Sequence, residues 1–306
     1  MKLKLICILV LMLSMACDKN PQDIQKNAVE CARSGDYQGA EKNYRWLLKQ
    51  KPNDVGIQAN LAFSLTSQDK HTEAIPLYQK LINEGEGTYD LFIYFAKSLQ
   101  AAGREDEAIT WNYRVLSIMP KLVDIRGDLA KLLIKNGRPY EALSLLASFD
   151  EYLKTQGENP YFKARRISIT ASLPAPSEKA KTIVKTAKID GHYYSVIIGK
   201  NSETISFMID TGASHTTISR QDLKTLDISV PENTKDIVMH TADNRQVDGQ
   251  QFIMEKLQVG PYSLKNVPVV VCENCAPLLG QTTLERFDLT TNEIDGVEFL
   301  TMVPRY

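Results

Sequence analysis

Residues 207–214 read Phe-Met-Ile-Asp-Thr-Gly-Ala-Ser, so an apolar run delivers one aspartate, Asp210, into a short turn. The tripeptide Asp-Thr-Gly occurs once in the 306 residues. By itself the tripeptide is weak evidence for a catalytic site, because such a turn is also an ordinary way to end a strand. The order of the segments on either side of the turn therefore decides what Asp210 does.

The segments on both sides of Asp210 favour β-structure. The upstream strand candidates are rich in β-branched and aromatic residues and are divided by Gly or Asn turns; they are residues 182–189, 193–198 and 204–209. The downstream candidates are a hairpin over 236–254, strands over 262–265 and 267–271, the run Leu278-Leu279-Gly280, and a short helix over 282–287. This pattern predicts an all-β domain over residues 181–306.

Because these segments follow one another in this order, residues 181–306 resemble a retropepsin-like aspartic protease of the single-domain type found in bacteria and retroviruses. The resemblance implies that Asp210 is catalytic. It also implies that Thr211, Gly212 and Ala213 complete the active-site loop, with glycine allowing the chain to fold back tightly.

Two further elements follow from the resemblance. The run Leu278-Leu279-Gly280 is expected to lie beneath the loop as an apolar support. The hairpin over 236–254 is expected to be a flap, whose tip includes Thr241, Ala242, Asp243 and Asn244. The alternative for the tip is an exposed hairpin turn without contact to substrate.

Proteases of this class need two carboxylates, one that draws a proton from water and one that donates a proton to the carbonyl oxygen. Asp190-Gly191 and Asp295-Gly296 have the composition of ordinary hairpin turns. The second carboxylate must therefore be Asp210 of another copy, which predicts a homodimer. Pepsin-like enzymes often carry Ser or Thr where this chain has Ala213, and the hydroxyl stabilises the ionised carboxylate. Ala213 thus predicts a less acidic optimum than theirs.

The N-terminal half repeats itself every 34 residues. Small residues follow this interval in two series, which are Ala28, Ala62, Ala96 and Ala130, and Ala40, Ala74, Ala108 and Ala142. Between the two alanines of each unit stands a turn residue, namely Gly35, Asp69, Gly103 and Gly137. The period resembles that of tetratricopeptide repeats. Residues 21–156 are predicted to form four such repeats, an all-α solenoid that presents a concave face to a protein partner.

The repeats are predicted to end in a capping helix and a linker. Residues 157–172 can form one more helix that covers the last apolar face. Residues 173–180 contain two prolines among polar residues, which breaks helical periodicity and indicates a linker.

The N-terminus has the pattern of an export signal. Lys2 and Lys4 precede an uncharged run from Leu5 to Ala16, which is too short to span a bilayer, and Cys17 follows directly. This junction resembles a bacterial lipobox, although Ser14 departs from its usual aliphatic residue. We therefore expect residues 1–16 to be a signal peptide and Cys17 to be lipidated at the periplasmic side of a membrane. In the alternative, ordinary signal peptidase cleaves the chain and Cys17 is an incidental thiol.

Composition excludes some partners. The chain has 36 Lys and Arg against 37 Asp and Glu, so its net charge of -1 gives no electrostatic reason to bind nucleic acid. The four histidines lack the short spacings of zinc sites, and neither a metal nor another cofactor is predicted. Cys272 and Cys275 could form a local disulfide or remain free thiols, and a zinc site there would need two further ligands.

The sequence as a whole predicts an exported multidomain protein, an all-α repeat domain followed by an all-β retropepsin-like domain. Its predicted function is an aspartic endopeptidase that works as a homodimer on protein or peptide substrates. The rival interpretation is a non-catalytic lipoprotein scaffold, in which a degenerate protease fold serves only for protein binding or dimerisation.

Overall fold

The computed structural model describes residues 20–177, 183–241 and 244–305. The predicted signal peptide, Cys17, linker residues 178–180 and the predicted flap residues Ala242 and Asp243 lie outside the described residues. The chain divides into two compact units, Met1–Glu86 and Gly87–Tyr306. Among the described residues, no helix combines the length and the apolar character needed to cross a membrane.

The described part of the first unit is helical. Its helices are α1 (Pro21–Arg33), α2 (Tyr37–Gln50), α3 (Val55–Thr66) and α4 (His71–Asn83). Gly35 and Asp69 stand in the turns within the two helical pairs, and both have positive φ angles, +83° and +57°. The repeat alanines of this unit are completely buried, which lets paired helices approach closely. The 34-residue pattern therefore marks helix contacts, as predicted.

The second unit begins with the same pattern and continues into the β-strands. Its helices are α5 (Tyr89–Ala101), α6 (Glu105–Ile118), α7 (Val123–Lys135), α8 (Pro139–Thr155) and α9 (Lys163–Ala171). Gly103 and Gly137 make the turns with φ angles of +78° and +71°. The helix α9 lies within the segment predicted as the cap.

The strands form two sheets. They are β1 (Val184–Ala187), β2 (Tyr194–Ile198), β3 (Thr204–Ile209), β4 (Thr216–Ser219), β5 (Lys235–His240), β6 (Gln246–Val259), β7 (Tyr262–Cys272), β8 (Leu278–Leu279), β9 (Phe287–Ile294) and β10 (Val297–Pro304). Seven strands follow the order β2-β3-β8-β4-β7-β6-β5, and the other three follow β1-β10-β9. Ile197 of β2 also pairs with Val259 of β6. This pairing closes the six strands from β2 to β6 in that order into a ring, with β5 outside it. The predicted fold class, all-α repeats followed by an all-β domain, is confirmed.

Two local predictions are wrong. Residues 262–265 and 267–271 belong to one strand, because β7 keeps the same register with β6 on both sides of Asn266, despite the positive φ of +51° there. The helix predicted over 282–287 is a single turn, α11 (Gln281–Leu284). Phe287 begins β9 instead, because its ring is buried against Tyr262 in the core, with 5.2 Å between ring centroids. Sequence reasoning also missed the short helix α10 (Arg220–Thr225).

The last helices pack on the β-strands within the second unit. Arg166 of α9 binds Asp150 of α8 at 2.9 Å and donates to the carbonyl oxygen of Thr204 in β3 at 2.7 Å. Lys154 of α8 binds Asp222 of α10 at 2.8 Å. Because both of its side chains are almost fully buried, the Arg166–Asp150 pair is screened little by salt, whereas Lys154 of the other pair is half-exposed.

Candidate active site

Asp210 lies at the end of β3 in a loop that is held by hydrogen bonds within the loop and to Leu279. Its N–H donates to the Leu279 carbonyl at 3.0 Å, and its carbonyl accepts from the N–H of Ala213 at 3.2 Å. The N–H of Gly212 donates to the Asp210 carboxylate oxygen Oδ1 at 2.9 Å. The carboxylate is half-buried, while Thr211 and Gly212 are exposed. The loop therefore holds Asp210 in a defined place and presents it at a surface.

The run Leu278-Leu279-Gly280 lies directly beside this loop. Strand β8 runs between two neighbours, parallel to β3 through the pair Ile209 and Leu279, and antiparallel to β4 through Thr217 and Leu278. Leu279 has no exposed surface. Strand β8 therefore pairs directly with β3, the strand that leads into Asp210. The resemblance assigns the role of apolar support to this same run, Leu278-Leu279-Gly280.

Gly280 is required by close packing. A Cβ at this position would lie 2.2 Å from the carbonyl oxygen of His215 and 2.7 Å from that of Ala213, distances that no side chain can occupy. The φ angle of Gly280 is -97°, which any residue can adopt. Glycine is therefore required here because the neighbouring backbone leaves no space for a Cβ, and not because of its backbone conformation.

Four polar residues that were not predicted from the sequence stabilise the contact between the Asp210 loop and Leu278-Leu279-Gly280 through hydrogen bonds. The Thr216 hydroxyl contacts the Thr283 hydroxyl at 2.6 Å and accepts from the Gly280 N–H at 3.2 Å. The Thr216 N–H donates to the Thr282 hydroxyl at 2.9 Å. The Gln281 side chain donates to the Thr211 carbonyl at 2.7 Å. The threonine pairs at 216–217 and 282–283 were the signal that could have identified the three threonines.

The predicted flap coincides with a hairpin. Strands β5 and β6 pair from Lys235 with Gln251 to His240 with Gln246. At the described part of the tip, the N–H of Asn244 donates to the Thr241 carbonyl at 2.8 Å, and Asn244 has a φ of +66°. Most side chains of β5 are exposed. Contact between this tip and substrate stays a prediction.

The cysteines near the site are joined. A disulfide links Cys272 at the end of β7 to Cys275, in the segment that leads to β8. Among the described residues, no group of three or more His, Cys, Asp or Glu side chains is arranged to hold a metal ion.

Comparison with known proteins gives a match in the β domain. Residues 196–286 match the family model described as gag-polyprotein putative aspartyl protease. This segment contains both the Asp210 loop and Leu278-Leu279-Gly280. A retropepsin-like aspartic protease from Rickettsia conorii is similar over 39% of this chain and 98% of its own, with 24% identity and a TM-score of 0.32.

Two other proteins are similar to larger parts of the chain. A structure of MamA, residues 41 to the end, from Desulfovibrio magneticus RS-1 covers 45% of this chain and 77% of its own, with 14% identity and a TM-score of 0.42. An uncharacterized protein in the cobV 5' region of Sinorhizobium sp. is 23% identical over 163 residues, which are 51% of this chain and 68% of that protein.

Proposed function

We propose that this protein is an aspartic endopeptidase whose active site is completed by a second copy of the chain. The observation that carries the proposal is the Asp210 loop, in which one aspartate is held by a buried scaffold and presented at an exposed turn. The match of residues 196–286 to an aspartyl protease model supports the same chemistry.

In the proposed reaction, two Asp210 carboxylates share one proton and bind a water molecule between them. The ionised carboxylate takes a proton from the water, whose oxygen attacks the peptide carbonyl, while the protonated carboxyl donates to the carbonyl oxygen. The carboxyl that took the proton from the water then gives it to the nitrogen and the C–N bond breaks, while the other carboxylate takes back a proton from the hydroxyl of the intermediate as the new carboxyl group forms. Two adjacent carboxylates stay in this mixed state because close like charges disfavour ionising both.

The remaining parts of the proposal concern assembly and location. The repeat helices are proposed to recruit a protein substrate or partner. Lipidation of Cys17 on the periplasmic side of a membrane would confine both copies to one surface and raise their effective concentration, which favours a homodimer.

The test is a comparison of wild type with Asp210→Asn on a diverse peptide mixture between about pH 3 and about pH 8. We expect peptide-bond cleavages that occur only with wild type, in a preparation shown by sedimentation to contain dimer. An absence of such cleavages from a confirmed dimer would favour the non-catalytic scaffold. Cleavage by a strict monomer would contradict the shared site.

A further inference from the structure

A large cleft lies behind the strand that carries Asp210. Helix residues Arg126, Phe149 and Tyr152 line one side, and Tyr194, Met208 and Pro277 line the other; we call it the rear cleft. Its volume is about 900 Å³, and its surface is mainly apolar. Clefts of this size and character are typical of small-molecule and peptide-end binding sites. All of these residues belong to the second unit.

Arg126 brings an uncompensated charge to this cleft. The residue is 2% exposed and donates to two backbone carbonyls, those of Leu145 at 2.9 Å and Pro120 at 2.8 Å, while its guanidinium lies 4.9 Å from the Phe149 ring centroid. Its Nε has no partner among the described residues. Burial lowers the pKa of Arg126 to about 10, so the group stays charged at neutral pH.

Asp150, the residue after Phe149, attracts Arg126 only from beyond ion-pair distance. Asp150 already binds Arg166 at 2.9 Å and accepts the Phe162 N–H at 2.8 Å. In the described part of the chain, no carboxylate lies within ion-pair distance of Arg126. A buried cation without an anionic partner is costly even when carbonyl groups accept its N–H groups, and an anionic ligand would reduce that cost.

Ser206 supplies a second unsatisfied group on the opposite wall. It is 3% exposed, and its hydroxyl has no hydrogen-bond partner among the described residues. It lies on β3 and also lines the rear cleft. Buried polar side chains are nearly always hydrogen-bonded, so Arg126 and Ser206 are two exceptions, and both residues line the same cleft.

The other charges of the cleft are mostly paired. Lys154 binds Glu151 and Asp222, and Glu273 lies 3.6 Å from Arg220. Asp190 is exposed at a hairpin turn. In contrast, Lys121 lies over the Tyr152 ring, 5.2 Å from its centroid, without an ion-pair partner in the described part of the chain. The unpaired positive charges therefore lie at the helical end, beside the aromatic rings.

We propose that the rear cleft binds an apolar group that carries one carboxylate. Its carboxylate lies towards Arg126 and Lys121, and its apolar part packs against Phe149, Tyr152 and Met208. Either the C-terminal residue of a peptide or a free carboxylic acid has this chemistry. The site is independent of the proposed protease activity.

The opposite wall connects this site to the Asp210 loop. The N–H of Met208 donates to the Pro277 carbonyl at 3.0 Å, and Met208 pairs with Leu278. Asp210 follows two residues later, directly after the end of β3. A ligand in the rear cleft therefore touches the segments that position the candidate active site.

Calorimetric titration tests the proposal, in Asp210→Asn protein so that the peptide probe is not cleaved. The probes are two acids, acetyl-Leu-Phe with a free carboxylate and 4-phenylbutanoate, and their neutral counterparts, the same peptide as its C-terminal amide and 4-phenylbutanamide. We expect at least one of the two acids to bind, and its neutral counterpart, the peptide amide or 4-phenylbutanamide, to bind about tenfold more weakly or worse, because a charge-assisted hydrogen bond is lost. Binding of only one acid identifies the source of the ligand and supports the proposal.

Arg126→Met should weaken binding of the acid about tenfold or more, whereas Arg165→Met is the matched control. Arg165 also donates to a backbone carbonyl, that of Gly127 at 3.1 Å, but does not line the rear cleft. If Arg126→Met does not fold, Lys121→Gln provides the test, because Lys121 is exposed. We expect it to lower the affinity for the acid roughly threefold. No binding of either acid, equal affinity for acid and amide, or acid affinity insensitive to the folded variants would overturn the proposal.

Discussion

The Asp210 loop and the hairpin of β5 and β6 both belong to the seven-stranded sheet, yet they are held very differently. The loop rests on Leu279, which is fully buried, and on Gly280, which has no room for a side chain. Along β5, exposed and half-buried residues alternate, and Val238 is 54% exposed. The fold of one copy therefore fixes the backbone that carries the carboxylate, whereas in the described residues β5, the outer strand of the hairpin, pairs with β6 alone.

The largest effect should come from filling the space at Gly280. In Gly280→Ala, the added methyl would collide with the backbone carbonyls of His215 and Ala213, so either the loop or β8 must move. We expect a loss of about 3 kcal/mol or more in the free energy of unfolding, and loss of activity. Urea denaturation measures the first, and peptide cleavage the second.

Gly56→Ala is the control for that substitution. A Cβ at Gly56 would meet only a carboxylate oxygen of Asp54, at 3.5 Å, an ordinary contact. It should leave stability unchanged or slightly higher, because alanine is the better helix former. A stable and active Gly280→Ala protein would show that the loop is not held as tightly as the structure indicates.

Thr216→Val tests the hydrogen bonds that stabilise the loop. The substitution keeps the shape of the side chain but removes the contact with Thr283 and leaves the Gly280 N–H without an acceptor. Because these groups are buried, we expect a loss of about 1–3 kcal/mol in denaturant unfolding. Thr225→Val, which removes one exposed hydroxyl contact to the Gln221 carbonyl, should cost much less. Equal losses for both variants would contradict the assigned role of Thr216.

Ala213→Ser changes the chemistry of the loop with little change in its packing. The new hydroxyl can donate to the ionised Asp210 carboxylate and stabilise it. We expect the acidic limb of the pH–rate profile to move to lower pH. The measurement is the rate of cleavage of one peptide across the pH range; an acidic limb that stays in place would refute the prediction.

The hairpin should show the smallest effect on stability. Val238→Thr replaces an exposed side chain, so the free energy of unfolding should change by no more than about 0.5 kcal/mol. If the hairpin covers substrate, KM should rise nevertheless. Val303→Thr is the matched control, because Val303 is also exposed, at 37%, and lies on β10, outside the segment predicted as the flap. Equal KM values for both variants and wild type would favour an exposed turn without substrate contact.

The sequence predicted those features that depend on local periodicity. The 34-residue spacing of buried alanines placed the helices, and the β-branched run over 204–209 placed β3 with the bounds that the structure shows. The helix over 282–287 was too long because Phe287 is buried against Tyr262, a residue distant in sequence. Periodicity within a segment cannot reveal such a tertiary contact.

The candidate site was predictable only in part for the same reason. Asp210 and the Leu-Leu-Gly run carry recognisable patterns. The contact between the Thr216 and Thr283 hydroxyls, and the bond from Gln281 to the Thr211 carbonyl, join residues more than sixty positions apart. Pairing of Arg166 with Asp150 and Thr204 likewise depends on how the last helices lie on the sheet.

Two Asp210 side chains from two copies are proposed to form one active site. The most direct test of this proposal mixes wild type with Asp210→Asn, refolded together at constant total protein so that the copies exchange, and measures peptide cleavage against composition. In an equal mixture, random pairing predicts about one quarter of the wild-type activity, because only one dimer in about four has two aspartates. Activity of about one half, as in dilution with an unrelated protein, would show that each copy works alone and would contradict the shared site.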